Sequence, residues 1–277
     1  MSVEKKPGSF YKYCPVYSSP EKIIKCESLD KLEELGEYSL LNLFKHQAKF
    51  SSRTDFNDLF DTRIDFISPD RREIKSFLQQ LSAKERRVAK QFFDKQDGQT
   101  NFRKYRDDIN RLFDRYKMFC VTIKGNNNLM WSHYTNYHQG FCIEFDASNF
   151  CAEEVSYKPE LAKFRLLDIV KEDYGLITKE NLGHLITEAM LTKLEEWDYE
   201  EEYRIIASHK MDELHLLQDN AKFTIYRTDP EWVKTIIFGH RMDYKVRQYI
   251  INTYGESVKY KVAVPDMRVG TINIIDY

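Results

Sequence analysis

Four side chains of different chemistry follow one another at Trp131, Ser132, His133 and Tyr134. An indole, a hydroxyl, an imidazole and a phenol on one helical turn can stack on a planar ligand and hydrogen-bond to it. The alternative is that Trp131 and Tyr134, at positions i and i+3 of a helix, pack on the core while His133 lies at its edge. This turn is our first candidate for a functional site.

A second group of ionisable side chains lies between Trp197 and Arg204. If this segment is a strand, Glu200, Glu202 and Arg204 share one face, because side chains alternate along a strand. Two carboxylates and a guanidinium on one face need each other or a ligand, since a buried unpaired charge is costly. The alternative is an edge strand with a solvated ion pair.

A third candidate is the loop around Asn57 and Asp58, which has further carboxylates at Asp55 and Asp61. Such a loop can bind a divalent cation, but acidic and amide side chains in loops more often form Asx turns and helix caps. The loop is therefore a weaker candidate than the two segments above.

Familiar catalytic and metal-binding motifs are absent from the sequence. The chain has no G-x-G-x-x-G, P-loop, G-x-S-x-G or H-E-x-x-H pattern. His133 and His138 are five residues apart, so on one helix they would point roughly 140° apart and would not share a metal. We therefore predict no metal site.

The elements that position these residues are indicated by the period of the apolar side chains. Alternation predicts strands at 10–16, 119–123 and 141–145, and the further strand candidates are 48–51, 203–208, 223–226, 233–238, 258–262 and 271–275. Helical spacing predicts helices within 20–44, three helices between 68 and 117, a short one over Trp131 to His138 and one over 182–194. Ser82 and Glu85 have the spacing of a capping box.

Strands and helices come in mixed runs without a regular β-α-β alternation, so the sequence predicts an α+β fold. We expect a mixed, mainly antiparallel sheet core with a helical insertion or lid at about residues 68–117. The chain contains no linker-like tract and no repeat. A single domain over residues 1–277 is the simplest organisation.

The composition limits the partners. The chain has 42 lysine and arginine residues against 44 aspartate and glutamate residues, a balance that does not indicate a nucleic-acid partner. No apolar run approaches the roughly 20 residues that a membrane-spanning helix needs, so we expect a cytoplasmic protein with no membrane partner. The five cysteines form no C-x-x-C pair and are expected to be reduced thiols.

Several segments resemble, in order along the chain, a bacterial family known as domain of unknown function 2971. Its members have an early Tyr-Lys-Tyr strand, an F-N-D-P-F-[DE] loop, an L-M-W-x-H-Y…H-x-G-h-C-h-E-F-[DE] block with h apolar, and a W-x-Y-E-x-E-[YF]-R segment. The matching stretches here are Tyr11 to Tyr13, Phe56 to Asp61, Leu129 to Asp146 and Trp197 to Arg204. Leu59 stands where the family usually has proline, and nothing from Ile74 to Tyr116 matches a motif.

The order of these parts is also similar to the three-part layout of the ADP-ribosyltransferase superfamily. That layout has an early strand with a polar residue, a middle strand followed by a helix with an aromatic residue, and a late strand bearing an acid. This chain departs from it in the first part, where Lys12 or Tyr13 stands in place of the usual His or Arg. The resemblance implies an enzyme that cleaves the nicotinamide–ribose bond of NAD. A role as a toxin or antiphage effector is a general expectation for small bacterial families of this kind.

The same resemblance implies roles for individual residues. Glu202 is expected to stabilise an oxocarbenium-like transition state, while Trp131 or Tyr134 stacks on nicotinamide. His133 or Lys12 would hydrogen-bond the ribose or pyrophosphate, and Arg204 would orient Glu202 or bind phosphate. The predicted catalytic residues are Glu202, His133 and Tyr134, and the predicted residues for binding NAD as substrate are Lys12, Tyr13, Asn57, Asp58, Trp131, Glu200 and Arg204.

Two other functions remain open at this stage. One is a nuclease or other phosphodiester hydrolase, in which Asp58 and Glu202 hold a metal and His133 is the general base. The other is a binding module that uses the same pocket without catalysis. The expected partners are a small-molecule nucleotide and, for a transferase, a macromolecular acceptor.

Overall fold

The structure is a computed structural model, and it describes residues 7–93, 97–207 and 216–277. The chain divides into two compact units. Unit one comprises Met1–Ser51, Lys117–Val155 and Glu196–Tyr277, and unit two comprises Ser52–Tyr116 and Ser156–Glu195. The fold class is α+β, as predicted.

The bounds of the elements are as follows. In the described residues the strands are β1 (Ser9–Cys14), β2 (Gln47–Ser51), β3 (Ile64–Ile67), β4 (Met118–Thr122), β5 (Phe141–Asp146), β6 (Glu153–Glu154), β7 (Ser156–Lys158), β8 (Ala162–Arg165), β9 (Thr192–Leu194), β10 (Glu202–Ile206), β11 (Leu216–Asp219), β12 (Phe223–Arg227), β13 (Val233–Phe238), β14 (Lys259–Asp266) and β15 (Thr271–Asp276). The α-helices are α1 (Pro20–Ile23), α2 (Leu29–Glu34), α3 (Tyr38–Phe44), α4 (Arg71–Gln80), α5 (Ala83–Phe92), α6 (Asp97–Arg115), α7 (Asn128–Tyr134), α8 (Leu166–Asp173), α9 (Lys179–Met190) and α10 (Tyr244–Tyr254).

Unit one is built on a mixed sheet that contains eleven of the described strands. Nine strands follow the order β11-β12-β2-β4-β1-β5-β13-β14-β15, and β10 pairs with both β4 and β6. Neighbouring strands are antiparallel except β13 and β14, which are parallel. The mainly antiparallel sheet core that the sequence predicts is therefore confirmed.

The alternation of side chains gives this sheet two apolar faces. One face packs against helices α1, α2, α3 and α10 through a core of aromatic and aliphatic side chains, among them Phe10, Leu40, Phe119, Ile143, Ile236 and Ile250. The other face carries Tyr13, Cys142, Ile237 and Ala263, and Trp131 of α7 packs on it. We call this second surface the α7 face. Burial of both faces removes a large apolar area from water, which is the main force that holds the sheet.

Helix α7 is shorter than predicted. It ends at Tyr134, and the residues Asn136, Tyr137 and His138 have φ values of 48°, 56° and 68°. His138 therefore lies in a left-handed turn and not on the helix, which corrects the helical range over Trp131 to His138. The turn is closed by the Gly140 N–H, which donates to the Thr135 carbonyl at 2.7 Å.

Unit two contains the three helices predicted between residues 68 and 117. Its second part is the segment 156–195. Asp70 is the N-cap of α4 and forms a capping box with Glu73. The predicted capping box of Ser82 and Glu85 is confirmed at the start of α5. Two pairs of short parallel strands, β3 with β8 and β7 with β9, complete the described part of this unit.

Other differences from the prediction lie in short elements. The helix predicted over 182–194 ends at Met190, and Leu194 belongs to β9. Helices α8 and α10 and the strands β3, β6 to β9 and β11 are additional to the predicted elements. The strand predicted over 203–208 is β10, and Ser208 lies outside the described residues. Within the described ranges, no helix combines the length and apolar character that crossing a membrane requires.

Candidate functional site

Trp131 and Tyr13 form the apolar wall of the α7 face. Trp131 is fully buried, its ring meets that of Tyr13 edge to face at 5.1 Å between centroids, and it stacks on His138 at 6.4 Å. The Trp131 indole N–H donates to the Gly125 carbonyl at 3.0 Å, and the Tyr13 hydroxyl donates to the Lys124 carbonyl at 2.7 Å. Because both polar atoms already have backbone partners, these two rings position the site and do not offer hydrogen bonds to a ligand.

His133 is exposed and belongs to a group of rings that we call the aromatic cluster: His133 and the half-buried Trp197 and Tyr199. The His133 ring centroid lies 6.4 Å from that of Trp197 and 6.1 Å from that of Tyr199. His133 Nδ1 and the Tyr199 hydroxyl are 3.1 Å apart, within hydrogen-bond distance. Asn127 ties the two segments together, because its side-chain amide donates to the Tyr199 carbonyl at 2.7 Å while its oxygen caps α7. The cluster is a surface on which a planar ligand can stack.

Tyr134 connects α7 to the second motif. Its hydroxyl donates to Glu200 Oε1 at 2.5 Å. Glu200 is only 3% exposed. It ends a 3-10 helix, and the next residue, Glu201, has a φ of 42°. This left-handed residue interrupts the extended chain, so Glu200 is not part of strand β10 as the sequence suggested.

Glu202 and Arg204 form a buried bidentate ion pair on β10. Arg204 Nε donates to Glu202 Oε1 at 2.8 Å, and its Nη2 donates to Oε2 at 3.1 Å. Glu202 is 5% exposed and Arg204 is completely buried. The carboxylate also acts on Cys120, whose thiol pKa is raised by burial and further by the nearby negative charge of Glu202. The pair is buried and not solvated.

The strand register places Glu202 in a polar row across the α7 face. Glu202 lies opposite Thr122, Thr122 opposite Tyr11, and Tyr11 opposite Glu144, on four neighbouring strands. Glu144 accepts a hydrogen bond from the Ser9 hydroxyl at 2.8 Å and from the Tyr11 hydroxyl at 3.3 Å. Adjacent strands are about 4.8 Å apart, so Glu144 and Glu202 are roughly 14 Å apart along the row.

Glu144 and Tyr11 are members of this row that the sequence analysis did not select. Burial, followed by the Glu144 charge, raises the pKa of Tyr11 to about 12, so the phenol stays protonated beside the carboxylate. Gly125 packs directly over the Tyr11 ring, since an added Cβ would lie 2.6 Å from it. The family motifs could have identified both residues, because Tyr11 lies in the stretch from Tyr11 to Tyr13 and Glu144 lies in the stretch from Leu129 to Asp146.

Lys12 points away from the α7 face. Its register partner is Ile143, on the opposite face. Strands β1 and β4 pair through Tyr11 and Thr122. Next to this pair, the Lys12 ammonium donates to the Cys120 carbonyl at 2.8 Å. The ammonium also lies 5.0 Å from the centre of the Phe119 ring. The structure thus brings Tyr13, Trp131, Tyr134, Glu200, Glu202 and Arg204 to one side of the sheet and places Lys12 on the other.

Asn57 and Asp58 belong to unit two. Asp58 is 8% exposed, and its Oδ1 accepts the Phe60 N–H at 2.9 Å, which is the Asx turn that the sequence offered as the alternative to a metal site. Asp61 is buried with Lys193, whose ammonium lies 3.5 Å from its carboxylate. Across the described residues, no three His, Cys, Asp or Glu side chains are grouped so that they could hold a metal ion.

Comparison with known proteins gives one match. Residues 130–205 match a family model described as "Protein of unknown function (DUF2971)". This stretch runs from α7 through the Glu202–Arg204 pair and so contains most of the predicted site. No curated protein and no solved structure matches the chain, and none of the comparisons supports similarity to the ADP-ribosyltransferase superfamily.

Proposed function

We propose that unit one binds NAD and cleaves its nicotinamide–ribose bond, as an ADP-ribosyltransferase or NAD glycohydrolase. The observation that supports this proposal is the Glu202 carboxylate, held by Arg204, in the same unit as the partly exposed aromatic cluster and the Tyr134–Glu200 pair. A rigid anion near a surface for stacking is what this reaction needs. Depletion of NAD would make such an enzyme toxic to a cell.

The reaction assigns a task to each group. The bond between the ribose carbon and the pyridine nitrogen breaks, and its electron pair leaves with nicotinamide. Positive charge then develops on the ribose, where a fixed carboxylate stabilises it. Water or an acceptor hydroxyl forms the new carbon–oxygen bond and releases a proton. Glu202 supplies the carboxylate, and the aromatic cluster stacks on the nicotinamide ring.

The bidentate bond to Arg204 suits the role of Glu202. Arginine is always charged, so its partner remains a carboxylate whose oxygens are fixed in direction. The Tyr134–Glu200 pair would hold the segment before Glu202 in position, since Glu200 and Glu202 are separated only by the left-handed Glu201.

The experiment is to incubate the purified protein with NAD and measure free nicotinamide by chromatography. We expect release of nicotinamide by the wild type and at least a hundredfold slower release by Glu202→Gln. Glu154→Gln is the matched control, because Glu154 is exposed and pairs with β10 opposite Tyr203; it should retain full activity. A melting curve of each variant shows that it is folded.

Absence of nicotinamide release, together with no NAD-induced rise in melting temperature of the wild type, would refute the proposal. His133→Ala provides a second readout, because His133 is exposed and its loss should not unfold the protein. We expect this variant to have a higher KM for NAD with a smaller change in kcat, as the loss of a stacking contact predicts.

A second candidate function is a binding module without catalysis. It is favoured by the 5% exposure of Glu202 and by the occupation of both its oxygens by Arg204. Such a module would be stabilised by NAD or another nucleotide in a concentration-dependent way and would form no product. The same two measurements therefore separate the two candidates.

A further inference from the structure

Two turns lie side by side at one end of the unit-one sheet. The first, Asn136–His138, precedes β5, and the second, Gly239–Arg241, follows β13. Strands β5 and β13 pair as far as Phe141 and Phe238, so the turns adjoin. The Gly239 N–H donates to the Gly140 carbonyl at 2.9 Å, and the Arg241 N–H donates to the His138 carbonyl at 3.0 Å. We call this place the two-turn surface.

The two-turn surface is held in a costly backbone conformation. Three consecutive residues, Asn136, Tyr137 and His138, lie in the left-handed region, which residues other than glycine rarely adopt. Neighbouring groups hold them there: the Asn136 side-chain amide donates to the Val16 carbonyl at 2.9 Å. A Cβ on Gly239 would lie 2.2 Å from the His138 carbonyl oxygen, so the two turns pack backbone against backbone.

Three basic side chains lie together on these turns. They are His138, His240 and Arg241; burial lowers the pKa of His138, and the neighbouring Arg241 and His240 lower it further. In the described residues, none of the three forms an ion pair with a carboxylate. The carboxylate that follows them most closely along the sequence belongs to Asp243, which accepts the Lys245 N–H at 2.8 Å and caps α10. Neighbouring basic groups that have no carboxylate partner create a positive potential, and this potential attracts an anion.

Arg247 holds the second turn in its shape. Its guanidinium donates to the carbonyls of Gly239 at 3.2 Å, His240 at 3.1 Å and Met242 at 3.0 Å. The carbonyl oxygens of the turn are therefore bound by Arg247. The side chains of His240 and Arg241 remain exposed to solvent.

Exposed aromatic rings belong to the same turns and to the segment bound to them. Tyr137 is 65% exposed, and Tyr17 is 72% exposed. Tyr17 follows Val16, which accepts the Asn136 bond, and its own N–H donates to the buried Glu37 carboxylate at 2.9 Å. Exposed aromatic side chains on a rigid backbone are typical of surfaces that stack on planar ligands.

We propose that the two-turn surface binds a phosphorylated small molecule of the nucleotide class. Arg241 and His240 would bind the phosphate oxygens, and Tyr137 or Tyr17 would stack on the base. Arginine suits this role because its planar fork matches the oxygens of a phosphate. The net charge of −2 favours a small anion over a nucleic acid. The proposal does not depend on NAD cleavage at the α7 face.

The experiment is titration calorimetry of the purified protein with pyrophosphate, ADP and adenosine. We expect pyrophosphate and ADP to bind, ADP more tightly, and adenosine to show no binding in the same range. Arg241→Gln should weaken both phosphate ligands about tenfold or more. Tyr137→Ala should weaken ADP alone. Arg268→Gln is the matched control, because this exposed arginine pairs with Asp266 elsewhere in the unit.

Three results would overturn the proposal. One is the absence of heat with both pyrophosphate and ADP. Another is unchanged affinity in the double variant Arg241→Gln, His240→Gln. The third is a single-stranded oligonucleotide that binds more tightly than ADP and is weakened by the same substitutions, which would make the surface a nucleic-acid interface. The double variant is expected to fold, because both side chains are exposed.

Discussion

Gly140 provides a direct test of how the strands around the site are joined. It lies between the left-handed turn and β5, where an added Cβ would be 2.1 Å from the Cys14 carbonyl oxygen and 3.0 Å from the Pro15 Cα. Both atoms are backbone, and neither can rotate away. Relief of the overlap requires the ends of β1 and β5 to separate by about 1 Å, since carbon and oxygen in contact need more than 3 Å.

Gly140→Ala should therefore be strongly destabilising. Overpacking a tight site usually costs about 1–3 kcal/mol. Here the movement also strains two hydrogen bonds, from Gly140 N–H to Thr135 at 2.7 Å and from Gly239 N–H to Gly140 at 2.9 Å. We expect a loss of at least about 3 kcal/mol in the free energy of unfolding, a large part of the roughly 5–15 kcal/mol of a typical domain.

Urea unfolding followed by tryptophan fluorescence measures this loss. All three tryptophans, Trp131, Trp197 and Trp232, belong to unit one, so the signal reports the unit that carries the substitution. Gly8→Ala is the matched control, because nothing lies within 4 Å of its added Cβ; it should change stability by less than about 0.5 kcal/mol. A loss below about 1 kcal/mol for Gly140→Ala, with an unchanged m-value, would refute the reasoning.

Three further predictions concern single side chains. Arg204→Met should cost about 3–5 kcal/mol by leaving the Glu202 carboxylate buried without its guanidinium; a cost as small as that of Arg268→Gln, whose side chain is 89% exposed, would contradict this. Burial raises the pKa of Tyr11 to about 12, against the ordinary value of about 10 in the unfolded chain. Between pH 10 and 12 the native state therefore keeps a proton on Tyr11 that the unfolded chain has lost. Stability should thus fall as pH rises from about 10 to 12, and Tyr11→Phe should show a smaller fall in urea midpoint; an equal fall would argue against the assignment. Asp70→Ala should destabilise unit two by about 1 kcal/mol, measured by circular dichroism, because it removes the capping box of α4; an unchanged curve would exclude the cap as a stabilising feature.

Periodicity was sufficient to predict most of the elements. Strand β5 alternates large apolar side chains, β13 contains a short apolar run, and the structure has them at 141–146 and 233–238. The helix α10 was not predicted, because its buried side chains, Val246 and Ile250, are few among polar neighbours. Tertiary packing against the sheet stabilises this helix, and that contribution is invisible in a local pattern.

The candidate site was predicted in part for the same reason. Glu202 and Arg204 share a face because they are two residues apart on one strand, which the alternation of side chains predicts. The left-handed Glu201 was not predictable, and it is the reason that Glu200 meets Tyr134 and not the strand. The position of Glu144 opposite Tyr11 depends on the register between strands that are 133 residues apart in the chain.

The sequence by itself determined the α+β class, the main strands and helices and the segments that bear ionisable side chains, because these follow from local periods and caps. Only the tertiary structure decided which residues meet. It buried Trp131 and paired Glu202 with Arg204, turned Lys12 to the opposite face, and joined the turns at His138 and Arg241. The physical reason is that strand register and backbone close approach arise from contacts between distant segments, and each one-residue shift in register moves a side chain to the other face.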